Sequence, residues 1–318
     1  MCRALLYTGQ PLLLDHLLYR PDSSLVKQAF MPQMLHMLNL AGFGMLAWDD
    51  ASHDPRVPYR YHSTQLPIFD RNLESLARKV EASCVLAHVR GVAYRTDVQL
   101  STQNTHPFYY PGAPVALAHN GDLYRIDAIR PGLARHIRPE YIAQIAGTTD
   151  SEWIYALLLS QFPAGEGETA AAAPLSLEIM SEAMLRTLDI IGQERRKAGI
   201  DVSSSVNLFV TDGQITMAVR YCFDFGCYRT EAPAAVHEAN LNYLSLWYTV
   251  GQKFAEHEGE WKMIGSDVDA QVGAQSVLIA SEPLTRDTTT WLEIPPYSLL
   301  YVNTKAGEGQ IESCEIRL

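Results

Sequence analysis

Apolar residues recur along this chain at two spacings. Short unbroken or alternating runs predict strands over residues 3–8, 42–48 and 84–89. The run 42–48 opens on glycines, and 84–89 reads as a buried strand. Apolar runs at 115–119 and 123–126 flank Asn120-Gly121-Asp122, a pattern that predicts a hairpin turn. A second hairpin is predicted from 206–210 and 215–219 around Asp212-Gly213. Late strands are expected over 276–280, 298–302 and 312–316.

Helical spacing appears in three places. Leu73, Leu76, Ala77 and Val80 share one face of a helix predicted over 72–82. Thr149 to Glu152 has the form of a capping box, with Thr149 as cap and Glu152 reaching back, and it opens a helix running to about Gln161. Leu177, Met180, Met184, Leu185, Leu188 and Ile191 form a stripe that reads as core rather than cofactor contact.

Strands outnumber helices, hairpins join many of them, and the long helices carry an apolar face each. That is the signature of an α+β chain: antiparallel sheet with helices on its outer faces, in a single domain over 1–318. The only candidate breaks are the Gly/Ala/Pro-rich stretch 162–174 and the acidic stretch 256–268. At 318 residues and 47% apolar the chain can bury a sizeable core. A net charge of -11 without a Lys/Arg run argues against nucleic acid. Asp15, His16 and Arg20 interrupt the Leu-rich opening, so it does not read as a signal peptide. No apolar run reaches membrane-spanning length, so no membrane partner is expected. The five scattered cysteines suit a reducing cytoplasm. Cys222 and Cys227 read as core or strand cysteines, and no metal site is expected.

The candidate chemistry begins at Cys2. Removal of Met1 would put a thiol and a free α-amine on one residue, and an amine of pKa about 7.7–8.0 can act as that thiol's base. Asn120-Gly121 is a turn on the plain reading. It is also a candidate oxyanion hole, offering a side-chain amide and a backbone N–H, with His119 shaping it from beneath. Arg90 ends a buried strand, where it can be solvated or can grip a carboxylate bidentately. Asp150 in a first helical turn suits the helix dipole, and it can also bind an ammonium. A thiol, an oxyanion hole, a cationic grip and an anionic grip fit an amino acid with a distal acyl group, such as glutamine or a γ-glutamyl amide.

Five islands carry a family resemblance: Met1-Cys2-Arg3, Ala87-His88-Val89-Arg90, Asn104-Thr105-His106-Pro107-Phe108, His119-Asn120-Gly121 and Gly147-Thr148-Thr149-Asp150-Ser151-Glu152. In order and spacing they resemble class II glutamine amidotransferases, N-terminal nucleophile (Ntn) hydrolases with a four-layer αββα fold. Ile279 to Leu284, Val210 to Tyr221 and the opening from Met1 to Gln28 are similar to the stand-alone branch, which includes ergothioneine-pathway γ-glutamyl amidohydrolases and amidotransferase-like proteins of glutathione breakdown. The resemblance implies Cys2 as nucleophile, Arg90 as α-carboxylate binder, Asp150 as α-amino binder, Asn120 and Gly121 as oxyanion hole, and His106 in the pocket lining. Two positions depart from the family: Ala93 stands where relatives carry a hydroxyl residue, and Gly91 where a bulkier or polar one is common.

No cofactor is expected, since no Gly-rich phosphate cradle with Lys is present. Nothing resembles an acceptor-binding domain. The expectation is a cysteine amidohydrolase working through a Cys2 thioester. The alternatives are a glutaminase that delivers ammonia to a separate synthetase, an Ntn acylase for a non-glutamyl amide, and a non-catalytic sensing scaffold.

Overall fold

A computed structural model describes residues 2–34, 38–92, 100–163, 175–225, 245–265, 274–303 and 310–317. The first part contains β1 (Arg3–Leu13), the one-turn helices α1 (Asp15–Leu18) and α2 (Leu25–Gln28), β2 (Phe43–Trp48), β3 (Tyr59–Ser63), α3 (Arg71–Ala77) and β4 (Glu81–Val89). Then follow β5 (Ala116–Gly121), α4 (Ile126–Leu133), α5 (Pro139–Ile142), α6 (Asp150–Gln161) and α7 (Leu177–Lys197). The remainder is strand: β6 (Ser204–Thr211), β7 (Ile215–Phe223), β8 (Trp247–Gly251), β9 (Lys253–His257), β10 (Glu260–Ile264), β11 (Ser276–Ala280), β12 (Leu292–Glu293), β13 (Ser298–Asn303) and β14 (Gln310–Glu315).

Two antiparallel sheets dominate, in the orders β12-β8-β11-β1-β4-β2-β3 and β14-β13-β7-β6-β5. The period of two then sorts side chains into layers. Leu5 and Tyr7 of β1, Met45 of β2 and Val85 of β4 pack with Leu17, Leu25 and Leu73 of the α1–α3 region. The intervening residues Ala4, Leu6, Leu46 and Leu86 face the second sheet, meeting Ala118, Phe209, Ala218 and Leu300. Leu117, Leu208 and Val219 point away from that interface onto Leu133, Ile154, Leu158 and Leu188 of α4, α6 and α7. Three cores between four layers give the αββα arrangement expected above.

Several elements differ from the sequence reading. The helix predicted to Ala82 stops at Ala77, because Glu81 and Ala82 pair with Leu13 and Leu12 of β1. Asn120-Gly121 is not a hairpin turn: β5 runs through both, opposite Asn207 and Val206 of β6. The run 123–126 is not a strand either. The Leu123 and Tyr124 N–H groups donate to Asp150 Oδ2 (2.8 Å) and Ser204 Oγ (3.1 Å), side chains that replace a strand partner. Thr149 caps α6 by accepting from the Glu152 N–H, but Glu152 does not reach back. Its carboxylate accepts from the N–H groups of Ala146 (3.0 Å) and Gly147 (2.7 Å) instead. Helix α6 is buried continuously from Ile154 to Leu159 rather than along one face. Part of the expected break at 256–268 is the β9–β10 hairpin, with Glu258 and Gly259 at positive φ as a two-residue primed turn requires. Residues 164–174, 266–273 and Cys227 lie outside the described residues.

Gly44 shows how tightly the site-forming loop is laid on β2. A Cβ there would stand 2.0 Å from the His106 carbonyl oxygen and 2.8 Å from His62 Cδ2. Backbone cannot yield as a flexible side chain can. Gly44→Ala is therefore expected to cost about 1–3 kcal/mol or more of stability, measured by urea unfolding. An unchanged midpoint would show that this contact is not tight.

Candidate active site

Strand β1 runs antiparallel to both neighbours, so its beginning lies beside the ends of β4 and β11. Arg3 stands opposite Val89, and Leu5 opposite Ala280. Cys2 therefore lands next to Arg90 and Gly91. Its partly buried Sγ is 3.4 Å from the Gly91 nitrogen and 3.5 Å from the Gly91 oxygen. Two other described thiols, Cys84 and Cys222, have poorer surroundings for nucleophilic work. Burial pushes Cys84 up to about 12 and raises Cys222.

The Arg90 side chain is buried, 7% exposed, and burial draws its pKa down. The Cys2 thiol and the Asp150 carboxylate pull it back up, so both lie within electrostatic reach of the guanidinium. Asp150 opens α6, and its carboxylate accepts from the N–H groups of Leu123 and Ser151, each at 2.8 Å. Those bonds fix its orientation at the helix N-terminus, where a carboxylate also meets the dipole favourably.

Asn120 and Gly121 end β5. The Asn120 amide meets Ser281 Oγ at 3.0 Å through Nδ2, while its buried Oδ1 has no hydrogen-bond partner. Gly121 is required by close approach: a Cβ would sit 2.0 Å from the Ser205 oxygen and 2.4 Å from His119 Nε2. His119 is thus the floor under Gly121. Its Nε2 faces the Ser205 carbonyl at 3.3 Å, and its Nδ1 meets the Ser151 hydroxyl at 2.9 Å, a hydroxyl that also donates to Asp150 Oδ1 at 3.2 Å. Burial keeps its pKa low against the pull of Asp150.

His106 is buried among neighbouring rings. Its Nδ1 lies 3.0 Å from His88 Nε2, and its ring packs on His88 and Phe108. Asn104 in the same segment clasps Thr148 twice, donating to Oγ1 (3.0 Å) and accepting from its N–H (2.8 Å). The Asn104–Phe108 segment and the loop before Asp150 are thereby one unit.

Sequence reasoning gave no role to the pair Arg3 and Glu282. Both are buried, with Arg3 Nε and Nη2 each 3.1 Å from Glu282 Oε2. Arg3 Nη1 donates to the Cys2 carbonyl at 3.1 Å, and Glu282 accepts from the N–H groups of Gln33 and Met34. The available signal was a charged residue on each of two adjacent buried strand ends. Among the described residues, no group of three or more His, Cys, Asp or Glu side chains could hold a metal ion. None of their helices is long and apolar enough to cross a membrane.

A family model, "Glutamine amidotransferases class-II", matches residues 60–218. The probable glutamine amidotransferase DUG3 of Saccharomyces cerevisiae is 31% identical over 314 residues, spanning 95% of this chain and 82% of that protein. The chain belongs to the class-II glutamine amidotransferases. It is accordingly an enzyme of the amidotransferase and amidohydrolase kind. Two solved structures share the fold. One is a glutamine aminotransferase class-II domain protein from Silicibacter pomeroyi, with TM-score 0.57, 19% identity and full coverage of both chains. The other is the glutamine phosphoribosylpyrophosphate amidotransferase of B. subtilis, with TM-score 0.52 and 13% identity, covering all of this chain and 50% of that one.

The buried histidines make this amidotransferase acid-sensitive. Burial, with the Arg90 charge nearby, pushes His88 down to about 3, and His106 falls well below its ordinary range. Unfolded histidine takes a proton near pH 6.5, so below that pH the unfolded chain binds more protons than the native one. Stability is full above pH 6.5 and falls as the pH drops towards the folded values. The expected loss between pH 6.5 and 5 is roughly 1–2 kcal/mol per such histidine, read from urea unfolding at several pH values. A flat profile would mean these rings are not held neutral.

Proposed function

We propose that this enzyme hydrolyses the γ-amide of glutamine or of another small γ-glutamyl compound through a thioester on Cys2. One arrangement carries the reading: Cys2 Sγ sits 3.4 Å from the nitrogen of Gly91, the residue after Arg90, whose buried guanidinium feels the charges of both Cys2 and Asp150. A cation coupled to an anion and a thiol matches an α-carboxylate, an α-ammonium and a distal carbonyl of one substrate.

The steps follow from that match. After Met1 is removed, the Cys2 amine takes the thiol proton and the thiolate attacks the γ-carbonyl carbon. The carbonyl electron pair moves onto oxygen, where Asn120 and the Gly121 N–H hold it. The intermediate collapses, the C–N bond breaks, and the protonated Cys2 amine returns its proton to the departing amine or ammonia. Water then attacks the thioester, giving glutamate and free Cys2. Gly91 sets its backbone N–H and carbonyl beside the thiol, while Ala93 lies outside the described residues. His106 supports the pocket from behind, through His88, rather than touching substrate. The scattered cysteines support a reducing, cytoplasmic setting for a single catalytic domain.

The test is glutamate release by the Met1-processed protein from glutamine, glutathione and other γ-glutamyl amides. Cys2→Ala is expected to abolish release without altering the fold. Activity confined to non-glutamyl amides would contradict the assignment. Asn120→Ala is expected to lower kcat by about 10²–10³ with little change in KM. Arg90→Ala or Asp150→Ala should instead raise KM roughly 10–150-fold, the worth of a charge-assisted hydrogen bond. Arg90→Lys should not rescue fully, because an ammonium cannot reproduce a bidentate fork. Penalties that persist with substrates lacking the α-carboxylate or α-amine would make these two residues structural.

A further inference from the structure

Ser281 follows β11 directly and is 2% exposed. Its backbone is fixed on both sides: its N–H donates to the Ala4 carbonyl (2.9 Å), and its carbonyl accepts from the Ser245 hydroxyl (3.1 Å). Its hydroxyl accepts from the Ala4 N–H at 3.0 Å and meets the Asn120 amide at 3.0 Å. It is therefore a rigid polar group tied to the strand that carries Cys2 and touching the amide assigned to the oxyanion hole.

Hydrogen-bond accounting decides which way that amide works. With Nδ2 on Ser281, the hydroxyl accepts twice, and Asn120 Oδ1 is left buried without a partner. An oxygen at the free end of the amide would repel a developing oxyanion. Turning the amide over gives Oδ1 a partner within the same 3.0 Å contact and puts a donor, not an acceptor, at the free end. The hydroxyl still accepts from Ala4 and donates its own hydrogen to Oδ1, its remaining capacity. The end of the amide that now lacks a partner becomes an N–H donor, which is what the reaction needs.

We propose that Ser281 is a positioning residue for the amide hydrolysis: its hydroxyl holds Asn120 Oδ1, and so presents Asn120 Nδ2 to the oxyanion. The inference rests on the function proposed above. Without the serine donor nothing distinguishes the two ends of the amide, and the wrong one can face the substrate. The loss falls on the transition state, because the ground-state carbonyl is only weakly charged.

The experiment is a double-mutant cycle on glutamate release from glutamine and glutathione. It uses wild type, Ser281→Ala, Asn120→Ala and the double variant, with Cys2→Ala as blank and thermal unfolding of each. Ser281→Ala is expected to lower kcat about ten-fold or more with KM within about two-fold. In the Asn120→Ala background the same change should cost less than about two-fold, since no amide remains to orient. A merely structural serine would show equal losses in both backgrounds, and that result overturns the proposal, as does an unchanged kcat. If Ser281→Ala does not fold, Ser281→Cys, nearly isosteric with a weak donor, is read in its place against the same outcomes. A wild type that releases no glutamate overturns the proposed function and this inference together. An active wild type with additive losses overturns this inference alone.

Discussion

The site depends on one constraint, the burial of the N-terminal strand in the middle of a seven-stranded sheet. Strand β1 has β4 on one side and β11 on the other, both antiparallel. A terminal strand at a sheet edge would fray. A central one has its backbone groups paired on both sides, so the residue that precedes it cannot wander. Cys2 is that residue. Because the neighbours are antiparallel, the start of β1 coincides with the ends of two other strands. Arg90 and Gly91 thus arrive from β4, and Ser281 and Glu282 from β11. No loop has to be folded over to bring them together.

The second sheet contributes the complementary half. Strand β5 ends on Asn120 and Gly121, and α6 begins on Asp150. They are joined through side chains rather than secondary structure: Asp150 takes the Leu123 N–H, and Ser151 takes His119. Glu152 and Asn104 then hold the loop before α6 by its backbone amides. Most polar groups in this region are spent on one another. Among the described residues, Asn120 Oδ1 is one of the buried polar atoms left without a partner, with Asn207 Oδ1 and His88 Nδ1 in the same region. In a network where each unmet bond is costly, an orphaned atom beside the assigned oxyanion donor is more informative than the satisfied ones.

Much of this was legible in the chain. The short apolar runs of β1, β2, β4 and β6, and the stripe on α7, gave the sheet-and-helix layering directly. The islands around Cys2, Arg90, Asn120 and Asp150 named the residues from which the candidate site is built. What could not be read were partnerships between distant segments. Asn120-Gly121 has the local chemistry of a hairpin, yet pairing with β6 and the Asp150 carboxylate override it. The helix after Asp70 is cut short because β1 claims Glu81 and Ala82. Strand β3 and the very short β12 carry too little periodic signal to stand out. The ion pair Arg3–Glu282 joins residues 279 positions apart, a separation no local pattern encodes.

The central claim is that Cys2, freed of Met1, is the nucleophile placed by this frame. Intact-mass analysis and peptide mapping after treatment with a diazo-ketone analogue of glutamine test it most directly. The account predicts a mature chain lacking Met1 and one covalent adduct per chain, located on Cys2, with Cys84 and Cys222 unmodified. An adduct mapped to another cysteine, or a mature chain that keeps Met1 and still turns over substrate, would contradict it.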